Sequence, residues 1–318
     1  MKRITSISIF ITLVIASFFS VINFIPLKKV VEENIWIEDY TQIAAHRGGA
    51  YLNPENTKMA FDYIIKETTY TDIIEFDLRL TKDNILVINH DEDINRMALE
   101  ENEESVIISK HNYKDLLEYN LGRNFMGLNG KYPYKNLTID DAKNRGLTLM
   151  KLEDFFEEYN MFRDFKLFIE IKEEGDRSRE IVDHLMSMLD EFEWYKNRSM
   201  IISFDDSLID YMWDNYMDQY IGALGNKVFA QIAFTKLGLA PLYNPKYHSI
   251  QVPFNEKAKK VPINWIDKRL IDYCTRQNQL VVYWGTDDVN EMTIMIEAGV
   301  HVITTDRPDV LSELIHKK

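Results

Sequence analysis

The sequence predicts an α/β protein, a (β/α)8 TIM barrel with a β-hairpin arm and an insertion, preceded by an N-terminal transmembrane helix. From Ile43 onward, short apolar runs of strand character alternate with helical patterns, which indicates a parallel sheet with right-handed crossovers. One pair of runs is joined by four residues, too few for a parallel crossover, so it forms a hairpin. Setting aside the second strand of that hairpin leaves eight parallel strands, the number in a TIM barrel.

The composition narrows the possible functions. The chain has 318 residues, with 51 Asp and Glu against 37 Lys and Arg, a formal net charge of −14. This acidic excess argues against nucleic acid as a partner, because phosphate backbones are bound by Lys and Arg surfaces. With 46% hydrophobic residues the chain can bury a large core, which excludes a disordered protein. The single cysteine, Cys274, lies in an apolar helical pattern and is interpreted as a buried structural thiol.

The N-terminal segment has the character of a membrane anchor. Residues 4–27 carry no charge and are flanked by Lys2-Arg3 and Lys28-Lys29. A helix of this length would reach about 36 Å, enough for a hydrocarbon core of about 30 Å. We therefore predict an anchor in residues 1–30 and a single-pass membrane protein whose catalytic part, residues 31–318, lies outside the cell. A signal peptide and a buried core helix are the alternatives, although a signal peptide has a shorter apolar region of about 7–15 residues.

The rest of the chain supplies the elements of the barrel in order. The apolar runs predict strands at Ile43–Ala45, Ile73–Leu80, Ile85–Asn89, Leu167–Lys172, Met200–Ser203, Gln219–Ala223, Ser249–Val252, Leu280–Trp284 and His301–Thr304. Helical patterns between them predict crossovers at Thr57–Glu67, Arg177–Glu191, Ser207–Trp213, Trp265–Gln277 and Asn290–Ala298. Residues 91–147 do not follow the alternation and are interpreted as an insertion over one face of the barrel.

The second strand carries charges on one face. In Ile73–Leu80, Glu75, Asp77 and Arg79 alternate with apolar residues, so they point into the barrel while the apolar face packs on helices. Buried charges require a counter-ion or a metal, and a salt-bridge network around Arg79 is the structural alternative. Glu170, at the end of a later strand, adds a third inward carboxylate, and Lys172 shares its face. Three carboxylates without a cysteine or a local histidine pair favour Ca²⁺ or Mg²⁺ over zinc.

The hairpin brings His90 to the same place. If its loop residues are Lys82-Asp83, paired residue numbers sum to 165 and His90 lies opposite Glu75. If they are Asp83-Asn84, the sum is 167 and His90 lies opposite Asp77. Either register places a candidate acid/base group beside the carboxylates.

The end of the first strand offers groups suited to an anion. Arg47, in His46-Arg47-Gly48-Gly49, suits bidentate phosphate binding, and the glycines let the backbone approach a ligand closely. In the following Pro54-Glu55-Asn56-Thr57, either Asn56 or Thr57 can cap the next helix. These residues all fall at or just after C-terminal strand ends, where barrel enzymes place their active sites.

Taken together, these motifs resemble those of the glycerophosphodiester phosphodiesterase family. The resemblance covers residues 41–315 and includes His46-Arg47-Gly48, Pro54-Glu55-Asn56-Thr57, Glu75-Phe76-Asp77, Thr81-Lys82-Asp83, His90-Asp91, Glu170-Ile171-Lys172, Ser203-Phe204, Trp284 and Thr305-Asp306-Arg307-Pro308. The chain departs from the family pattern at Trp284-Gly285-Thr286-Asp287, where Trp-Thr-Val-Asn is common, and at Leu149-Met150-Lys151-Leu152, where Ile-Pro-Thr-Leu is usual.

The resemblance implies metal-dependent hydrolysis of glycerophosphodiesters to glycerol 3-phosphate and an alcohol. It implies that Glu75, Asp77 and Glu170 bind the divalent cation and that His46 and His90 are the catalytic pair. By the same resemblance, phosphate and substrate are bound by Arg47, Lys172, Glu55, Asn56 and Trp284.

Other functions remain open on the sequence alone. The substrate could be a membrane lipid, as for a phosphatidylinositol-cleaving phospholipase or a lysophospholipase D. The chain could also be a membrane-tethered binding barrel without turnover, although both histidines, the carboxylates and Lys172 occur together.

Overall fold

The computed structural model describes residues 13–14, 17–18, 20–22, 24–261 and 263–316 of the chain. These residues include eight parallel strands that close into a barrel, as predicted, and two strands that extend from its wall. The strands are β1 (Gln42–Ala45), β2 (Ile73–Leu80), β3 (Leu86–Ile88), β4 (Met150–Lys151), β5 (Lys166–Ile171), β6 (Ser199–Ser203), β7 (Tyr220–Ala223), β8 (Ser249–Pro253), β9 (Leu280–Trp284) and β10 (Val302–Thr305). Strand β1 pairs with β2 on one side and with β10 on the other, which closes the sheet.

Helices lie on the outside of the barrel between its parallel strands, and three short α-helices lie in residues 91–147. In chain order they are α1 (Lys58–Asp62, continued by a wider π-helical turn over Tyr63–Glu67), α2 (Asn95–Ala98), α3 (Tyr113–Leu116), α4 (Ile139–Asn144), α5 (Leu152–Tyr159), α6 (Asp176–Glu191), α7 (Glu193–Lys196), α8 (Asp206–Asn215), α9 (Asn226–Lys236), α10 (Glu256–Lys259), α11 (Lys268–Arg276), α12 (Val289–Ala298) and α13 (Pro308–His316). Side-chain oxygens of Thr57, Asp205, Asp267 and Asp288 accept hydrogen bonds from the first turns of α1, α8, α11 and α12, which fixes where these helices begin.

The alternation in β2 sorts its side chains as the sequence predicts. Ile74, Phe76 and Leu78 belong to the large apolar cluster between the barrel and its helices. Ile73, on the opposite face, belongs to a smaller cluster inside the barrel together with Phe168. Glu75 and Asp77 continue the inner face toward the C-terminal end of the barrel and are buried. The barrel interior is therefore apolar at its N-terminal end and charged at its C-terminal end.

The segment in front of β1 closes the N-terminal end of the barrel. Trp36 is fully buried, and its ring stacks on Phe168 with ring centroids 5.4 Å apart. Its backbone is tied at both groups, since its N–H donates to Asn34 Oδ1 at 3.1 Å and its carbonyl accepts from Gln42 Nε2 at 2.6 Å. Residues just before it also contact the barrel, because the Val30 N–H donates to the Gln277 carbonyl at 2.8 Å.

The hairpin from β2 to β3 has a register that the sequence analysis did not predict. Leu78 pairs with Ile88 and Leu80 with Leu86, so paired residue numbers sum to 166 rather than 165 or 167. The loop has three residues, Lys82 to Asn84, because Asn84 adopts a left-handed conformation with φ of 58°. Both predicted registers assumed a two-residue loop and are wrong, although the Asn89 N–H still bonds the Asp77 carbonyl at 2.9 Å and brings the next residue, His90, to the site.

Residues 91–147 pack on the outward side of this hairpin. They contain short helices, a bridge between Asp93 and Ile107, and an apolar cluster of their own. Val87 of β3 joins that cluster, whereas its neighbours Leu86 and Ile88 face the main core. The strand thus connects the insertion to the barrel. After the insertion, β4 pairs antiparallel with β3.

The predicted membrane anchor and single-pass location are contradicted. Among the described residues, no helix has both the length and the apolar character to cross a membrane. Part of the proposed span, residues 4–12, 15–16, 19 and 23, lies outside the described residues. At its end, Ile25 and Leu27 line a groove with Tyr273 of α11, so these apolar side chains contact protein.

Candidate active site

A cavity of about 360 Å³ opens at the C-terminal end of the barrel. Its walls come from the ends of most strands and from the loops that follow them, the position expected for a barrel enzyme. The lining residues are His46, Arg47, Tyr51, Glu75, His90, Phe168, Glu170, Lys172, Ile202, Phe204, Leu224, Gln251, Trp284, Gly285, Thr286, Asp287, Thr304, Thr305 and Asp306.

Three buried carboxylates meet at the floor of the charged region. One oxygen each from Glu75, Asp77 and Glu170 lies within 4.8 Å of the others. Strands β2 and β5 place them, because Asp77 and Glu170 are paired positions and Glu75 is two residues earlier on the same face. Lys172, two residues after Glu170, reaches Asp77 Oδ1 with its Nζ at 3.0 Å and also hydrogen-bonds Glu170.

The negative charge concentrated in this cluster shifts the pKa values of its carboxyl groups. Burial and the charge of Asp77 raise the pKa of Glu75. Burial also acts upward on Asp77, but the positive charges of Lys172 and Arg47 outweigh it and hold the pKa of Asp77 well below its usual range. Clustered, buried carboxylate oxygens are the ligands that Ca²⁺ and Mg²⁺ prefer. The donor set of this structure therefore fits a hard divalent cation.

Arg47 is held in an unusual conformation against these carboxylates. Its backbone is left-handed, with φ of 51°, a conformation uncommon for residues other than glycine. This conformation lets the Arg47 N–H donate to Glu75 Oε2 at 2.8 Å. Its guanidinium lies between Glu55, with Nη1 to Oε1 at 3.0 Å, and Asp77, with Nε to Oδ2 at 3.5 Å. The turn therefore positions an arginine beside the cluster.

His46 faces the cluster and is anchored from behind. Its Nδ1 lies 2.6 Å from Asp306 Oδ1, and its Nε2 lies 4.0 Å from Glu75 Oε2. Burial lowers the pKa of His46, but the charges of Asp306 and Glu75 more than offset this effect and raise it to about 9. Asp306 itself is placed by Asp287, whose Oδ1 accepts from the Asp306 N–H at 2.9 Å.

His90, which also lines the cavity, has a matching arrangement. Its Nδ1 lies 2.7 Å from Asp91 Oδ1. Its carbonyl oxygen accepts a hydrogen bond from Arg79 Nη2 at 2.8 Å, and Arg79 also pairs with Glu173 at 3.3 Å. The hydrogen bond from His90 lowers the pKa of Asp91, with Arg96 acting in the same direction against burial. Each histidine thus has an aspartate at Nδ1, which leaves Nε2 available for proton transfer.

The predicted substrate residues separate into two groups. Trp284 lines the cavity next to Phe204, with the two rings 6.0 Å apart and nearly perpendicular. Glu55 and Asn56 lie behind the cavity wall: Glu55 pairs with Arg47, and Asn56 Nδ2 donates to Asp77 Oδ2 at 2.9 Å. The helix cap is Thr57 rather than Asn56, since Thr57 Oγ1 accepts from the Ala60 N–H.

Asp306 and Asp91 stand within the family motifs, but neither was predicted to take part in the site. Asp306 follows β10, which is more than 250 residues from His46 in the chain and becomes its neighbour only when β10 pairs with β1. The position of Asp306 at a C-terminal strand end was the available signal. The sequence signal for Asp91 was weaker, because it consists only of its position directly after His90. The structure shows the hydrogen bond between Asp91 and the His90 ring.

Sequence comparison gives the same family as the motifs. The description "Glycerophosphoryl diester phosphodiesterase family" belongs to a family model that matches residues 46–310. A glycerophosphodiester phosphodiesterase of Bacillus altitudinis is 24% identical over 85% of this chain and 96% of its own length. A lysophospholipase D of Mus musculus is 21% identical over 87% of this chain and 82% of its own length.

Solved structures share the fold. A glycerophosphodiester phosphodiesterase from Parabacteroides distasonis superposes with a TM-score of 0.62 and 19% identity, covering 88% of this chain and 98% of that one. A phosphodiesterase from Oleispira antarctica, in complex with the product sn-glycerol-3-phosphate, superposes with a TM-score of 0.64 and 15% identity, covering 87% and 97%. These similarities establish the barrel architecture.

Proposed function

Because this chain belongs to the glycerophosphoryl diester phosphodiesterase family and is therefore a phosphoric diester hydrolase, we propose that it hydrolyses glycerophosphodiesters to glycerol 3-phosphate and an alcohol by two-histidine catalysis with a divalent cation. The proposal rests on one observation: two histidines, each with an aspartate at Nδ1, line the cavity that holds a single cluster of carboxylates. The Oleispira antarctica phosphodiesterase, which was solved with the product sn-glycerol-3-phosphate, supports glycerol 3-phosphate as a product here.

Glu75, Asp77 and Glu170 would hold the cation, Ca²⁺ or Mg²⁺. When bound, such an ion polarises the phosphoryl oxygens and neutralises their developing charge. Positively charged side chains beside the cluster would also neutralise charge on the phosphate. Lys172 and Arg47 both contact Asp77, which holds two positive charges beside the cluster where a phosphate would lie. Fixed positive charges at that point would stabilise the transition state more than the substrate.

The two histidines would divide the proton transfers. Hydrolysis needs one group to take a proton from the nucleophile and another to give a proton to the departing alkoxide. Asp306 and Asp91 each bond Nδ1, which fixes the ring orientation and directs Nε2 of His46 toward Glu75. A partner carboxylate also stabilises the imidazolium that forms when the ring takes up a proton.

A lysophospholipid is the second candidate substrate. The cavity has apolar walls from Phe168, Ile202 and Leu224, and the side chain of Phe204 beside its mouth is 44% exposed. These surfaces would suit the acyl chain that a lysophospholipid carries on its glycerol. The mouse relative named lysophospholipase D favours the same reading.

The test is to supply the purified full chain with glycerophosphocholine, glycerophosphoethanolamine and lysophosphatidylcholine, each with Ca²⁺, Mg²⁺ or excess chelator. A coupled dehydrogenase assay detects glycerol 3-phosphate, and a choline oxidase assay detects the choline released from the two choline esters. We expect glycerol 3-phosphate from the water-soluble diesters in the presence of one cation. Choline release from lysophosphatidylcholine alone would favour the second substrate, and no product from any diester would refute both.

A further inference from the structure

The insertion contributes one side chain that contacts the carboxylate partners of both Arg47 and His90. Arg96, on α2, directs its guanidinium toward two carboxylates. Its Nη1 and Nη2 donate to the two oxygens of Glu55 at 3.0 and 2.7 Å, and its Nε donates to Asp91 Oδ2 at 2.8 Å. All three guanidinium nitrogens thus donate, and the pair with Glu55 has the bidentate geometry that gives arginine pairs their specificity.

Each of these carboxylates has a second partner in the active site. Glu55 Oε1 also accepts from Arg47 Nη1 at 3.0 Å. Asp91 Oδ1 bonds His90 Nδ1 at 2.7 Å. The contacts therefore form one continuous series, Arg47, Glu55, Arg96, Asp91 and His90, which runs from the proposed phosphate binder to a proposed catalytic histidine.

The backbone of Arg96 is fixed by the rest of the insertion. Asn124 Nδ2 donates to the carbonyl oxygens of Arg96 at 3.1 Å and Leu99 at 2.7 Å. The side chain of Arg96 is 52% exposed, so a single pair to water-accessible carboxylate would stabilise little. Glu55, however, is only 11% exposed and lies between two guanidinium groups. Burial would raise the pKa of Glu55, but Arg96 and Arg47 hold it below its usual range.

We propose that Arg96 is a positioning residue that couples the phosphate-binding Arg47 to His90. Without its guanidinium, Asp91 keeps only the bond to His90 among the contacts described above and can rotate with the ring. Glu55 likewise keeps one partner and no longer fixes the angle at which Arg47 lies. This inference rests on the proposed function, since it assigns Arg47 and His90 their roles there.

The experiment compares Arg96→Met and Arg96→Lys with Arg123→Met as matched control. Arg123 is another arginine of the insertion, and it pairs with exposed Glu100 at 2.6 Å rather than with the site. With glycerophosphocholine and the preferred cation, we expect Arg96→Met to lower kcat and raise KM, reducing kcat/KM by about 10–100-fold. Arg96→Lys should recover part of this loss because it keeps the charge without the bidentate contact. Arg123→Met should match wild type.

A double-mutant cycle separates coupling from simple destabilisation. In wild type, the effects of Glu55→Gln and Asp91→Asn on kcat/KM should be non-additive by at least about threefold, because the two carboxylates share Arg96. In the Arg96→Met background the same two substitutions should become additive. Equal coupling in both backgrounds, or activity of Arg96→Met equal to that of Arg123→Met, would overturn the inference. In either of these overturning outcomes, hydrolysis of the diester by wild type would leave the proposed function standing while this inference fails.

Discussion

Two buried histidines at the N-terminal side of the barrel should make the protein less stable in mild acid. His301 directly precedes β10, and His248 directly precedes β8. Their Nδ1 atoms accept backbone hydrogen bonds, from Val281 at 2.9 Å and from Ile221 at 3.0 Å. A ring nitrogen that accepts such a bond carries no proton, so both rings are neutral in the folded protein. Burial accordingly lowers the pKa of each from 6.5 to about 4.

The sign and size of the effect follow from proton linkage. The unfolded chain takes up a proton at each histidine as the pH falls below about 6.5, while the folded protein resists until about pH 4. Stability is therefore complete above pH 6.5 and is lost as the pH falls toward 4. Each unit of difference between folded and unfolded pKa is worth about 1.4 kcal/mol, so each histidine costs about 3 kcal/mol across this interval.

Urea unfolding followed by circular dichroism between pH 7.5 and pH 4.5 measures this cost. The variant is the double substitution His248→Asn and His301→Asn, which keeps a side-chain acceptor but removes the titration. We expect the free energy of unfolding of wild type to fall toward that of the variant by several kcal/mol as the pH drops. His184→Asn, at an exposed position of α6, is the control and should parallel wild type. Parallel curves for wild type and the double variant would refute the reasoning.

Three further predictions concern activity. His46→Ala and His90→Ala should each reduce kcat by about 10²–10⁴-fold with smaller effects on KM. A nitrophenyl diester, which has a good leaving group, should rescue the variant that lacks the acid but not the one that lacks the base. Near wild-type turnover of both variants on glycerophosphodiesters would contradict the two-histidine mechanism. Glu75→Gln should weaken cation binding measured by calorimetry, whereas full wild-type activity after exhaustive chelation would show that no cation is needed. Asp306→Asn should lower kcat at least about tenfold at nearly constant KM, because the amide no longer orients and stabilises the His46 ring; an unchanged kcat would remove Asp306 from the mechanism.

The sequence predicted the barrel because its strands alternate clearly. The bounds of β2 and β9 agree with the prediction residue for residue. The inward direction of Glu75 and Asp77 followed from the same alternation. Strand β4 was missed because two residues carry no period, and α9 was missed because its apolar residues are not confined to one face, with Phe229 remaining 47% exposed.

Other features depended on information that local pattern does not hold. The hairpin register turned on the backbone of Asn84, since a single residue at positive φ changes a two-residue loop into a three-residue loop. The role of Asp306 depended on closure of the barrel between β1 and β10. The apolar N-terminal run predicted a membrane helix from hydropathy and length alone, and no described helix has both properties. At the end of that run, Ile25 and Leu27 line a groove on the barrel.

The tryptophan at the base of the barrel determines how far the chain can be shortened. A fragment that starts at Thr41 retains every strand and every proposed catalytic group, yet it lacks Trp36 and leaves Phe168 without its stacking partner. Loss of a buried aromatic side chain of this size costs about 3–5 kcal/mol, a large fraction of the stability of a typical domain. A fragment that starts at Lys28 keeps Trp36 and the bonds between Gln277 and residues 28 and 30. The working boundary for expressing the enzyme therefore lies ahead of Trp36 rather than at the first strand.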